Sequence, residues 1–205
     1  MSGAVIMILI GLGLLLLMLR VGGAARAENR RYYREVAAWA NERGWAYRED
    51  SPFWKSMSSP GAYREGLHVH GTHSDHAFTL EYTLAIPREG LGYSLIRIET
   101  TEVVVHLPSA YPATQIKRRG FRRTAGIGYA EFDREFQVRT DAPGGPSAVV
   151  STQLAKAHLA GNVPLWTLRD KELTCYEYGK TKVEDLDATV DQAVRVAELL
   201  GSAPR

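Results

Sequence analysis

The chain has 205 residues, with 25 Lys and Arg against 23 Asp and Glu and a formal net charge of +2. A balance so close to neutral excludes the strong positive field that general nucleic-acid binding requires. The single cysteine, Cys175, excludes an intrachain disulfide, so the fold does not depend on oxidation.

The first segment predicts a membrane anchor. An unbroken apolar run extends from Ala4 to Leu19, with Ile10 near its centre. As a helix it covers roughly 24 Å of a hydrocarbon core about 30 Å thick, and the small residues that follow complete a single span. We therefore expect a transmembrane anchor over residues 1–25 and a soluble domain over residues 26–205.

The charges around this run predict its orientation. No Lys or Arg precedes it, whereas arginines follow it at once: Arg20, Arg26, Arg30, Arg31 and Arg34. A cleaved signal peptide is the less favoured alternative, because signal peptides carry positive charge before the apolar core. By the positive-inside rule the protein is a single-pass protein of the cell membrane whose C-terminal domain is cytoplasmic. An exported domain that acts at the cell wall stays open as a third alternative.

The first half of the soluble part predicts a helix followed by a sheet. Apolar residues at helical spacing predict a helix over Glu28–Arg43, which Gly44 ends as a left-handed cap. Trp45 and Tyr47 then indicate a strand. Three further β-rich runs follow with short connections, which predicts an antiparallel meander: residues 67–71, 78–86 and 93–107, the last ending at Pro108.

The second half adds helices around two more β-rich runs. A helix is predicted from Pro146 to Gly161, with His158 in its last turn, where a positive charge suits the helix dipole. A hairpin is predicted to turn near Asp170. Thr181 opens a capping box for a last helix that Gly201 ends. Because strands and helices segregate along the chain, the fold class is α+β with a largely antiparallel sheet.

Aromatic and turn residues recur through the soluble part in four motifs: Ala38-Trp39-Ala40, Gly44-Trp45-x-Tyr47, Val103-Val104-x-His106-Leu107-Pro108 and Phe132-Asp133-x-x-Phe136-x-Val138. These motifs resemble an actinobacterial family of N-terminally membrane-anchored proteins that has no assigned activity. The resemblance implies an anchor followed by one α+β domain. It implies no catalytic or binding residue.

A histidine cluster is the sharpest candidate site. Four of the six histidines fall within His68-x-His70-x-x-His73-Ser74-Asp75-His76. Imidazole and carboxylate suit zinc, and the end of the run resembles half of the His-x-His-x-Asp-His signature of metallo-β-lactamase-like hydrolases. Gly71, however, occupies the place of the first histidine in that signature. The favoured interpretation is a solvated hairpin with its turn in residues 72–76 and no metal.

A basic run is the second candidate site. It contains Lys117, Arg118, Arg119, Arg122 and Arg123, with one phenylalanine among them. Beside a membrane such a loop would gain about 1 kcal/mol per charge on anionic headgroups. A solvated basic loop without a partner is the favoured single interpretation. Nucleic acid is not expected as a partner, because no recognisable reading module accompanies the charges.

These patterns favour a membrane-tethered, non-enzymatic cytoplasmic domain that binds a partner protein or the inner-leaflet surface. No catalytic residue and no cofactor are expected in this interpretation. The alternative is a metal-dependent hydrolase or metal sensor that uses the cluster of His68, His70, His73, Asp75 and His76, with zinc as its metal.

Overall fold

A computed structural model describes residues 27–50, 63–86, 88–89, 92–93, 98–120 and 126–201. The predicted anchor, including Ala4, Ile10 and Leu19, lies outside these residues. Among the described residues, no helix combines the length and the apolar character that a membrane crossing requires.

One helix precedes the strands, one follows them, and two shorter helices lie between strands. Helix α1 occupies residues 27–42, and the others are α2 (Ala130–Glu135), α3 (Thr152–Leu159) and α4 (Leu186–Gly201). The predicted cap of α1 is confirmed, since Gly44 has φ +70° and Trp45 N donates to the Ala40 carbonyl at 3.0 Å. Glycine adopts this left-handed conformation without the cost that a Cβ imposes.

The strands form one six-stranded antiparallel sheet, whose strands differ in length, and a separate short pair. The sheet contains β1 (Ala46–Asp50), β2 (Tyr63–His73), β3 (His76–Ile86), β6 (Ile98–Arg118), β7 (Phe136–Thr140) and β8 (Trp166–Tyr178). The pair consists of β4 (Arg88–Glu89) and β5 (Gly92–Tyr93). The order β1-β2-β3-β6 confirms the predicted meander, β7 extends the β3 side of β6, and β8 pairs with its opposite side.

Two sequence predictions about β6 and β8 are wrong. Strand β6 does not end at Pro108 but continues to Arg118, and β8 passes through Asp170 (φ +53°) without forming a hairpin. The pairing of β6 with β8 shifts register between His106 and Thr114. A proline is tolerated there, because it has no backbone N–H, and irregular pairing leaves some positions that do not hydrogen-bond to the neighbouring strand.

Two predictions about helix beginnings also need correction. The segment after Pro146 forms a 3₁₀ turn (Pro146–Ala148), and α3 begins separately, where Ser151 Oγ accepts a hydrogen bond from Leu154 N at 3.2 Å. Thr181 does not cap the last helix, because the cap position of the turn before it is Lys182, which makes no side-chain cap hydrogen bond; the Thr181 hydroxyl donates to Glu177 Oε2 at 3.4 Å. A second 3₁₀ turn, Val183–Asp185, leads into α4 instead.

The helices described all pack on one face of the sheet. From α1, Tyr32 meets Tyr82 of β3 edge-on at 5.2 Å between ring centroids. From α3, His158 contacts Phe136 and Trp166. The inward residues of β2, β3, β6, β7 and β8 are mostly apolar and buried, as are eight residues of α4. Their burial supplies the main stabilisation of the fold, at about 25 cal/mol per Å² of apolar surface. We call this side the helix face and the other side the open face.

Candidate functional site

The open face of the sheet carries a continuous row of polar and ionisable side chains. Register places them directly opposite one another across five strands, from β1 to β8: Arg48, His68, Glu81, Glu102 and Tyr176. We call these five residues the charged row. Side chains alternate between the two faces of a strand, so the row lies opposite the apolar core and no described helix covers it.

Two carboxylates face each other at the centre of the charged row. Glu81 of β3 pairs in register with Glu102 of β6, and both side chains are only partly exposed. Burial, and secondarily the Glu81 charge, raise the pKa of Glu102. Like charges directly opposite in a sheet destabilise it. The row therefore places two carboxylates where they repel each other, at a cost to stability.

His68 is held between acidic groups on both of its ring nitrogens. Its Nε2 lies 2.6 Å from Asp50 Oδ2 and its Nδ1 lies 3.2 Å from Glu81 Oε1. The next histidine on the same face, His70, stacks parallel to it at 6.3 Å and places Nδ1 3.0 Å from Thr79 Oγ1. These contacts hold the side chains of His68 and His70 in place on the open face of the sheet.

The remaining members of the histidine cluster lie elsewhere. Ser74 and Asp75 both have positive φ (47° and 64°) and form the two-residue turn between β2 and β3, which confirms the predicted hairpin. His73 reaches the helix face, where its Nε2 donates to Asp191 Oδ1 at 2.6 Å. His76 Nδ1 donates to the Ser74 carbonyl at 2.8 Å.

The metal hypothesis requires these histidines to converge on one ion, but the sheet holds them apart. No group of three or more His, Cys, Asp or Glu side chains within the described ranges could hold a metal ion. The position of Gly71 adds a steric reason, because a Cβ there would lie 2.5 Å from Trp45 Cδ1. A histidine in this place would displace the Trp45 ring. Zinc binding by the cluster stays a prediction, which a zinc titration of the purified chain would test.

The basic run is divided between a strand and the residues that follow it. Lys117 and Arg118 belong to the end of β6, and Arg119 follows it, whereas Arg122 and Arg123 lie outside the described residues. Arg118 is engaged within the fold, since its guanidinium lies 3.1 Å from Glu135 Oε2 and 4.7 Å from the centre of the Phe136 ring. Lipid contact by these residues stays a prediction.

His158 does not carry the positive charge expected at the end of a helix. It is buried on the helix face, and its Nε2 accepts a hydrogen bond from Trp166 Nε1 at 3.1 Å. Burial, with a smaller effect of the Arg118 charge, lowers the pKa of His158 to about 4. The imidazole is therefore neutral at physiological pH, and the helix-dipole interpretation is wrong.

Sequence reasoning missed the charged row because its members are distant in the chain. Alternation alone placed His68 on a polar face, and it also separates Glu81 and Glu102 from their apolar neighbours. What no single strand reveals is the register that brings them opposite one another. Aligning the strands by their buried positions, and then comparing the polar positions between them, would have given a signal for this row.

Fold and charged face together define a class: an α+β domain built on an antiparallel sheet with helices on one side and an ionisable surface on the other. The chain matches no family model and no curated protein. Among solved structures it is similar to the crystal structure of the mycobacterial trehalose monomycolate transport factor A, TtfA. The TM-score is 0.54 at 12% identity, over 85% of this chain and 97% of that chain. This likeness shows a shared fold, and its mycobacterial source is consistent with an actinobacterial family.

Proposed function

We propose that this chain is a membrane-tethered, non-enzymatic cytoplasmic domain that binds a partner protein through its open face. The charged row carries the proposal. It collects the carboxylates of Glu81 and Glu102, with Asp50 beside them, on a face without a helix in the described part of the chain. Such a surface is complementary to a partner that presents Lys or Arg.

The tether is supported by the apolar run from Ala4 to Leu19 and by the arginines that follow it. Helix α1 continues this arginine-rich segment, and it contacts Lys180, which lies between β8 and the second 3₁₀ turn. The Lys180 ammonium lies 3.6 Å from Glu28 Oε1 and 4.7 Å above the Tyr32 ring centre. A cation desolvated against an aromatic face fixes the beginning of the domain more firmly than an exposed pair would.

The fold shared with TtfA, a trehalose monomycolate transport factor, supports an accessory role in membrane transport. In that role the domain contributes binding energy and position rather than chemistry. An accessory factor needs a stable scaffold with one exposed recognition face, and a sheet with helices on one side provides this.

The tether is tested with reporters fused after Arg205 that are active on only one side of the membrane. The proposal predicts activity from a cytoplasmic reporter and none from an exported one. Moving the arginines between residues 20 and 34 to the N-terminal side of the apolar run should invert the result, because orientation follows these charges. An exported reporter signal from the unaltered chain would contradict the proposed location.

The partner face is tested by photocrosslinking in cells from two positions in the full chain. Thr174 lies on the open face of β8, and Lys156 is exposed on α3 on the opposite side. We expect a discrete protein adduct from Thr174 that disappears in the E81Q/E102Q variant, and no equivalent adduct from Lys156. Equal adducts from both positions, lipid adducts only, or an adduct that the double variant leaves intact would contradict a protein partner at this face.

A further inference from the structure

A cleft lies on the helix face, and of the charged row it includes only Tyr176. Its volume is about 260 Å³, and it is bounded by β8, the end of α3, the segment that follows α3, and α4. It also receives Arg118 and Phe136 from the β6–β7 pair. This volume is slightly below the ~300 Å³ of the smallest drug-sized pockets, so an occupant must be small.

The cleft has one wall without charge. Apolar side chains and a buried thiol form it: Phe136, Val163, Pro164, Leu165 and Cys175. Burial raises the pKa of the Cys175 thiol, so the thiol is protonated and acts here as a small hydrophobic group. This wall favours a short apolar chain.

Two hydrogen-bond donors, from His158 and Arg118, indicate that the other end of an occupant carries an acceptor. The first of them is on His158. His158 accepts from Trp166 at Nε2, and an imidazole that accepts at Nε2 carries its proton on Nδ1. Within the described residues no group accepts from this Nδ1–H, and His158 lines the cleft. The His158 side chain is largely buried but reaches the cleft, so an acceptor inside the cleft can pair with this donor.

Arg118 supplies the second donor and a positive charge. Its guanidinium has five N–H groups, and its Nη1 donates a hydrogen bond to Glu135 Oε2. The guanidinium therefore binds one carboxylate already, and because its side chain is 69% exposed, its other N–H groups are free to bind a second acceptor. The acidic residue of the cleft, Glu177, belongs to the distant half of β8, and its carboxylate accepts from Thr181.

We propose that this cleft binds a small amphipathic carboxylate, with the carboxylate on Arg118 and His158 Nδ1 and the apolar chain along the Phe136–Cys175 wall. Of the charged row only Tyr176 also lines the cleft, whereas the carboxylates of Glu81 and Glu102, on which the proposed partner face depends, do not line it. Failure of either proposal therefore leaves the other standing.

Hexanoate is the probe, and hexanol is its uncharged control. The full chain in lipid nanodiscs is labelled at its four tryptophan indoles, and the Trp166 N–H resonance is assigned with Trp→Phe variants of the other three. We expect hexanoate to shift the Trp166 resonance saturably, because its carboxylate meets the histidine that Trp166 bonds. Hexanol at the same concentration should leave it in place.

Three variants decide whether the cleft is responsible. Arg118→Gln should raise the dissociation constant for hexanoate about tenfold, as expected for a lost charge-assisted hydrogen bond. The matched control Arg119→Gln removes a neighbouring charge that does not line the cleft and should leave binding unchanged. Gln192→Trp fills the cleft from an exposed position of α4 and should abolish the shift without disturbing the core.

The proposal is overturned by any of three results. These are the absence of a saturable Trp166 shift with hexanoate, an equal response to hexanol, and equal weakening by Arg118→Gln and Arg119→Gln. The resonances of each variant without ligand report whether it has folded, and Gln192→Trp keeps the test decisive if Arg118→Gln does not fold.

Discussion

The two faces of the sheet use the same strands for different purposes. On the helix face, Leu173 and its inward neighbours are fully buried, whereas Thr174, one residue further along β8, lies on the open face and is partly exposed. The helix face gains stability from apolar burial, and the open face retains ionisable groups that reduce it. The alternation of side chains within each strand thus separates the apolar core from the ionisable face that we propose for recognition.

The largest expected difference between the faces comes from adjacent substitutions in β8. Leu173→Ala should lower the free energy of unfolding by about 2–5 kcal/mol, because it removes a fully buried side chain and leaves a cavity. Thr174→Ala should change it by less than about 1 kcal/mol. Urea unfolding of both variants measures the difference, and equal losses would show that the open face is covered as completely as the helix face.

The next effect is the pH dependence that His158 gives to the helix face. Its pKa falls from 6.5 in the unfolded chain to about 4 in the fold, so the unfolded chain binds the proton more tightly. Stability is fully present above pH 6.5 and declines as the pH falls towards 4, by about 3 kcal/mol in total.

His158→Phe isolates this effect. It removes the acceptor of Trp166 at every pH, which costs about 1–3 kcal/mol, but it also removes the acid-sensitive group. The unfolding free energies of the two proteins should therefore converge as the pH falls from 6.5 to 4. His106→Gln, which removes an exposed imidazole outside the core, serves as the control. Parallel curves for His158→Phe would contradict a neutral, buried imidazole.

A smaller effect of opposite sign is expected on the open face. Glu102→Gln removes one member of the like-charge pair with Glu81, so it should stabilise the fold by about 0.5 kcal/mol at pH 7. Glu172 is exposed on the open face of β8. Its replacement, Glu172→Gln, is the matched control and should have almost no effect. The melting temperatures of the two variants compare them, and a destabilising Glu102→Gln would mean that this carboxylate contributes a favourable contact.

The smallest effect concerns the β2–β3 turn, where the two faces meet. Ser74 and Asp75 adopt the positive φ values that Asn and Gly prefer, so the S74N/D75G variant should gain about 0.5–1 kcal/mol. The same variant removes Asp75 from the histidine cluster. Unchanged zinc affinity in a titration would agree with a purely structural turn, whereas a large loss would support the metal alternative.

Much of the fold was predictable from sequence because its signals are local. The alternation around Leu80 and Tyr82, the cap at Gly44 and the turn before His76 each depend on a few neighbouring residues. The course of β6 and β8 was not predictable in this way. Both strands continue through residues that usually interrupt a sheet, Pro108 and Asp170, because their mutual pairing supports the irregular backbone.

The candidate site was less predictable than the fold. The sequence drew attention to histidines that are close in the chain, yet the sheet places His73 and His68 on opposite faces. The residues that do come together, such as His68 and Glu102, are joined by strand order and register, which depend on tertiary packing. His158 was misjudged for the same reason, since its burial comes from Phe136 and Trp166 rather than from its own helix.

The central claim is that a protein partner covers the open face in the cell. A membrane-permeant maleimide tests it by footprinting Thr83→Cys on that face and Lys156→Cys on α3, in intact cells and in the purified full chain. The native thiol of Cys175 adds little background, because it is buried and its pKa is raised. The account predicts that labelling at position 83 slows several-fold in cells while labelling at position 156 does not. Equal rates in cells and in the purified chain at both positions would contradict it.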